Sequence, residues 1–229
     1  MEIKIKDEKI KVPKPCIIGL MGNNYETYLE ELSHNKRSVG YIKKDEYYYT
    51  NYVYDELLLF MNRCKCEIKN VAKRMEKVLD SLSLPYSFLE REISDLSKGE
   101  KRILSYLRIF IYNPKVLIID EPFKNLDYKY EKIVINYLRE LKNKYNKTII
   151  IASNNSNIIY ENTNKTIIID KDIIFKDTIK LFSDNEIIDK YNLSIPNLVM
   201  FSKLAEKKNK KIKYYQDNRE LMKEVYRNV

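Results

Sequence analysis

Apolar residues are distributed along this chain with two different spacings. Short continuous runs rich in β-branched residues predict buried strands at residues 16–18, 116–119 and 148–152, and again at 166–169 with a sheet-edge arm over Asp172-Ile173-Ile174-Phe175. Residues 39–42 read as a further strand, and residues 2–22 as two short strands around a turn at Val12-Pro13. Elsewhere the spacing is helical. Leu57, Leu58 and Met61, then Val71, Met75, Val78, Leu79 and Leu82, make residues 53–112 mostly helical. Within that stretch Ile103, Leu104, Leu107 and Ile111 share one helical face. Ile133, Val134, Tyr137, Leu138 and Leu141 do the same in a later helix. A short helix is predicted over 25–32, and the tail gives helices through Phe201 and Leu204 and around Leu221, Met222 and Val225. There is no internal repeat and no Gly/Ser linker. Buried strands separated by helices predict an α/β fold.

The candidate chemistry is concentrated between Leu96 and Asp127. Leu96-Ser97-Lys98-Gly99-Glu100 opens a predicted helix, where a hydroxyl, free amides and the positive dipole end suit a phosphate. Asp120 and Glu121 close a buried strand, the end that faces the ligand crevice in open α/β sheets. A carboxylate there holds Mg²⁺, and its neighbour orients an attacking water. Asn125-Leu126-Asp127 follows. In this order and spacing the three elements resemble the signature, Walker B and D-loop of the ATP-binding-cassette (ABC) ATPases.

That resemblance implies a P-loop NTPase (RecA-like) core in a nucleotide-binding domain over residues 1–185. It also implies an inserted α-helical subdomain at about 53–112 and a small C-terminal helical extension over 186–229. It implies ATP and Mg²⁺ as cofactors, with Asp120 at the metal, Glu121 in the catalytic position and Asp127 in the D-loop. Ser97 and Gly99 would close over ATP held by a partner, because ABC domains pair head to tail. The signature departs from the family pattern at Lys98 and Glu100.

The phosphate loop, G-x-x-x-x-G-K-[ST], fits without a gap at Gly19-Leu20-Met21-Gly22-Asn23-Asn24-Tyr25-Glu26. Asn24 then replaces the last glycine, Tyr25 the lysine and Glu26 the metal-binding hydroxyl. Tyr25 brings no positive charge, and Glu26 puts a negative one beside the phosphates. Asn24 adds a side chain where the backbone must approach closely, although Asn tolerates left-handed conformations. The same residues also read as a strand–turn–helix connection that never held phosphate. Lys44 stands in the position of the family's Q-loop glutamine, and Asn154 in that of its switch histidine; Asn bonds a phosphate but carries no proton. The single histidine, His34, reads as an exposed helix-end residue.

The segment Tyr191-Asn192-Leu193-Ser194-Ile195-Pro196 and the helices after it resemble the C-terminal extension of energy-coupling-factor (ECF) transporter ATPases. The resemblance implies pairing with an intact ABC ATPase subunit, contact with a transmembrane coupling subunit, and a peripheral location on the cytoplasmic face of the cell membrane. The expectation is a degenerate subunit with one working ATP site per heterodimer. A non-catalytic scaffold or regulator without nucleotide is the alternative, and a self-sufficient ATPase a third reading that Tyr25 and Glu26 oppose.

Composition changes this picture little. No stretch approaches the ~20 apolar residues of a membrane span, and no signal peptide is evident. Cys16, Cys64 and Cys66 form neither a disulfide framework nor a zinc pattern, so a reducing compartment is expected. The net charge is +9. Abundant Lys, Asn, Ile and Tyr share A/T-rich codons, and the tyrosines form no stacking platform, so no nucleic-acid partner is expected.

Overall fold

The computed structural model describes residues 2–5, 8–34, 38–45, 47–65, 68–208 and 212–227. Cys66 lies outside them. The described strands are β1 (Glu2–Ile5), β2 (Glu8–Lys11), β3 (Cys16–Gly22), β4 (Val39–Ile42), β5 (Val116–Asp120), β6 (Thr148–Ala152), β7 (Lys165–Ile169) and β8 (Ile173–Asp177). The longer helices are α1 (Tyr25–Ser33), α2 (Val53–Arg63), α3 (Ile68–Ser81), α4 (Lys98–Tyr112) and α5 (Tyr128–Tyr145). After them come α6 (Ser156–Asn162), α7 (Thr178–Ser183), α8 (Asn185–Lys190), α9 (Asn197–Lys207) and α10 (Asn218–Arg227). The chain divides into two compact units: residues 1–28 with 150–229, and residues 29–149.

In the first unit β3 pairs in parallel with β7, Ile18 opposite Lys165 and Gly22 opposite Ile169, and β8 returns antiparallel against β7. The end of β6 flanks β3, where Ser153 N donates to Leu20 O at 3.1 Å. Ile17, Ile18, Leu20 and Met21 are all buried, as a strand covered on both faces requires. Residues 2–22 form three strands, not two. β1 and β2 are a hairpin with Ile3 opposite Ile10, both buried, and Val12-Pro13 follows it. β3 also runs past Ile18 to Gly22, so Gly19 lies within a strand and not in a loop.

The short helices α6, α7 and α8 have no apolar periodicity long enough to announce them. Each is started by a side-chain cap instead: Asn155 accepts from the amides of Asn157 and Ile158, Asp177 from Lys180, and Asp184 from Glu186 and Ile187. Those capping residues were the available signal.

In the second unit β4 pairs in parallel with β5, Val39 opposite Val116 and Ile42 opposite Ile119. All five β5 residues are buried. The stretch after Tyr52 holds α2, α3, a 3₁₀ turn at Tyr86–Glu90 and α4. A buried ion pair crosses it: Arg108 Nη1 meets Glu56 Oε1 at 2.9 Å. The other Glu56 oxygen accepts from the amides of Tyr49 (2.8 Å) and Thr50 (3.2 Å). Burial pulls the Arg108 pKa down to about 10. Backbone bonds from Val53 to Arg91 O and from Ile93 to Asn51 O pin residues 51–53 to residues 91–93, just before the signature.

Glu56 therefore satisfies a buried cation and two amides at once. Glu56→Ala is expected to cost about 3–5 kcal/mol, since it removes the carboxylate of a buried ion pair and the acceptor of two backbone amides. Urea denaturation measures this, and Glu56→Gln should lose less, because its side-chain oxygen still accepts from the Tyr49 and Thr50 amides.

Candidate functional site

The signature segment is the N-terminus of α4. Ser97 is its N-cap: the Ser97 hydroxyl accepts from Glu100 N at 3.2 Å, and the Glu100 carboxylate accepts from Ser97 N at 2.9 Å. This capping box holds the first turn. Arg91 pairs with Glu100, and its hydrogen bond holds that carboxyl below the usual range. The charge that departs from the family pattern is thus neutralised within the unit. Ser97 and Lys98 are exposed. Gly99 is needed for a close approach: an added Cβ would lie 2.9 Å from Asn125 O. Asp127 is the exposed N-cap of α5 and accepts from Tyr130 N at 2.8 Å. Ser97, Gly99 and the Asn125–Asp127 turn are thus brought together.

Asp120 ends β5 and is buried, while Glu121 is half-buried with a left-handed backbone at φ 47°. Such a conformation is unfavourable for a residue with a side chain. Arg102 of α4 holds it in place. One guanidinium nitrogen donates to Asp120 O at 2.6 Å and Glu121 O at 2.8 Å, and the other donates to Lys43 O. Tyr106 OH donates to Pro122 O at 2.6 Å, and burial raises its pKa to about 12. Arg102 was not singled out from the sequence. Its only signal was a cation in a helix whose neighbours Ile103 and Leu104 are fully buried. Lys44, next to Lys43, is exposed.

In the first unit the connection from β3 to α1 is only Asn23-Asn24. Gly22 N donates to Asn154 Oδ1 at 2.9 Å, and Asn154 Nδ2 returns a bond to Gly22 O at 3.4 Å. Asn23 N donates to Ile169 O, and its side chain to Asp170, both at 2.9 Å. Asn24 takes the left-handed conformation at φ 54°. Tyr25 is 2% exposed, whereas Glu26 is exposed in the first turn of α1. Both glycines have packing reasons. A Cβ on Gly19 would meet Ile159 Cγ2 at 2.6 Å and the hydroxyls of Thr163 and Thr166 at 3.1 Å; one on Gly22 would lie 1.9 Å from Ile169 O.

The ABC transporter family matches residues 6–124 of this sequence, more than half of its length. The chain belongs to that family. A putative ABC transporter ATP-binding protein of Onion yellows phytoplasma is 27% identical over 198 residues, 83% of this chain and 33% of the relative. The chain thus spans about a third of that relative's length. The energy-coupling factor transporter ATP-binding protein EcfA3 of Oenococcus oeni is 27% identical over 212 residues, 90% of this chain and 73% of the relative. Among solved structures, cbiO1 from Clostridium perfringens, part of the ABC transporter complex cbiONQ, superposes with a TM-score of 0.66 at 18% identity. The match covers 88% of this chain and 96% of that one. The α/β fold is accordingly that of ABC ATPases, a P-loop NTPase core.

In an ABC subunit the phosphate loop cradles the nucleotide with free amides and a lysine. In the segment after β3 the Gly22 and Asn23 amides are bonded within the chain, and no Lys or Arg occurs from Asn23 to Thr27. Mg²⁺ bound at Asp120 would need its remaining oxygens from nucleotide and water. Among the described residues no His, Cys, Asp or Glu cluster of three or more forms a metal site. If packing fixes Gly22, Gly22→Ala is expected to destabilise the chain by more than about 2 kcal/mol, measured by thermal unfolding. Added Mg-ATP should leave the unfolding temperatures of wild type and variant unchanged.

Proposed function

We propose that this chain is the degenerate nucleotide-binding subunit of an ECF-type ABC importer. It pairs with an intact ABC ATPase subunit and supplies Ser97 and Gly99 to the ATP and Mg²⁺ held there. The observation that carries this reading is a contrast of charge between two helix starts. The start of α1 bears Glu26 and no Lys or Arg from Asn23 to Thr27, whereas the start of α4 offers the exposed Ser97 and Lys98, and the Lys98 and Gly99 amides have no acceptor among the described residues. A serine hydroxyl has one donor and two acceptor positions, so Ser97 can accept from Glu100 and still donate to a phosphate. The residues in its own phosphate-loop and Walker B positions, Gly19, Gly22, Asn24, Tyr25, Glu26, Asp120 and Glu121, with Lys44 and Asn154 at the sensor positions, then do not turn over ATP.

The ECF relatives support a transmembrane coupling subunit as the second partner, with the chain peripheral on the cytoplasmic face of the membrane. No helix among the described residues is long and apolar enough to cross a membrane. Residues 53–112 act as the helical subdomain that passes closure on, and residues 186–229 as the extension. A regulator that never meets nucleotide is the alternative favoured by the occupied turn.

Nucleotide binding by the purified chain, alone and co-expressed with an intact partner ATPase, tests this. Alone it should bind no Mg-ATP, and Tyr25→Lys should not restore binding, because Glu26 remains beside the phosphates and the Gly22 and Asn23 amides stay bonded. With the partner, ATP should drive heterodimer formation. Ser97→Ala should lower the partner's turnover by about ten- to a hundredfold, and Glu121→Gln should leave it unchanged. Tight binding by the isolated chain overturns the reading; an ATP-indifferent monomer favours the regulator.

A further inference from the structure

Two neighbouring segments of the first unit hold the turn after β3, and residues near the C-terminus grip both. Asn154 takes the Gly22 amide, while Ile169 O and Asp170 take the Asn23 amide and side chain. Asn154 leads into α6, which is only seven residues long. A helix of two turns is not stable by itself in water and depends on outside contacts. The chain after Tyr191 supplies them at both ends. At the first turn Ser194 and Ser156 share a hydroxyl hydrogen bond at 2.9 Å, and Asn197 N donates to Asn157 Oδ1 at 2.8 Å. At the last turn the Gln216 side-chain amide donates to Tyr160 O and, at 2.8 Å, to Thr163 O. Those carbonyls are acceptors of the kind that a helix end leaves open.

The grip is itself anchored. Val199, Ile212 and Leu221 are buried, and the buried Ser202 hydroxyl lies 3.3 Å from Lys213 O, which fastens residues 212–216 to α9. On the other side Lys190 and Tyr191 bond the Asp172 carboxylate at 2.8 and 2.7 Å, two residues beyond Asp170. That ion pair is exposed, and an exposed pair contributes little. The contacts to α6, whose Ser156 is 1% exposed, therefore carry most of the grip.

We infer that the C-terminal segment is a clamp on the turn after β3. Ser194, Asn197 and Gln216 fix α6, α6 fixes Asn154, and Asn154 closes the Gly22 amide. Displacing the segment frees the turn, and disturbing the turn loosens the segment, because coupling between two sites acts equally in both directions. The inference rests on the reading of this turn as held by the chain's own groups and not by nucleotide.

Hydrogen exchange of the full chain, followed by mass spectrometry without nucleotide, tests it. The double variant Ser194→Ala/Gln216→Ala should speed exchange over residues 19–26 about tenfold and leave β5, in the other unit, unchanged. Lys223→Ala, which removes only an exposed pair with Glu220 on α10, should change neither. An unchanged turn in the double variant, or equal acceleration of β5, would overturn the clamp. Should the double variant fail to fold, Asn154→Ala decides: faster exchange over residues 212–217 upholds the clamp, and an unchanged segment overturns it. Mg-ATP added to the wild-type chain separates this inference from the proposed function. Slowed exchange of the turn would count against the nucleotide-free reading, whereas the variants, measured without nucleotide, decide the clamp.

Discussion

A single guanidinium organises the second unit. Arg102 stands on α4, one turn beyond the signature, and its terminal nitrogens hold the carbonyls of Lys43, Asp120 and Glu121. Those carbonyls belong to the segment after β4, the last residue of β5 and the turn that follows. Left alone, the φ of 47° at Glu121 would relax. Held by Arg102 from one side and by Tyr106 at Pro122 from the other, it becomes a fixed corner. The signature helix and the carboxylate-bearing strand end are therefore one mechanical piece.

Glycine usage shows the same dependence on tertiary contacts. The chain has only four glycines. Gly40 packs under Pro114 and Ile109, Gly99 under the backbone at Asn125, and Gly19 and Gly22 against α6, β7 and the threonines beside it. Among the described residues most left-handed corners without glycine fall on Asn, at Asn24, Asn113, Asn125, Asn146 and Asn192, and the others on Lys65, Ser83 and Glu121. Asn is among the side-chain-bearing residues that best tolerate this region. A glycine-poor chain can thus form the corners of an ABC domain with Asn in place of glycine.

The two family landmarks follow different physical logic. Around the signature, the groups that hold the segment are local: Ser97 and Glu100 cap the same turn, and Arg91 lies a few residues before them. Around the phosphate turn they are distant: Asn154 and Ile169 fill the hydrogen-bonding positions of Gly22 and Asn23.

That difference sets how much was legible in the sequence. Residues 148–152 and the long amphipathic faces of α4 and α5 follow from local periodicity, because burying one apolar face is a property of the segment itself. The order Ser97–Gly99, Asp120–Glu121, Asp127 likewise lies open in the sequence, and it carried the family. The full length of β3, the occupation of its end by a side chain 132 positions away and the three carbonyls on Arg102 did not. Hydrogen-bond partners remote in sequence leave no periodic trace, and a buried arginine reads like a surface one until its surroundings are assembled. The sequence by itself determined the long periodic elements, the family and the lack of a lysine at Tyr25; only the tertiary structure decided the extent of β3, the short capped helices and the bonding of the Gly22 and Asn23 amides, because those depend on which distant groups reach them.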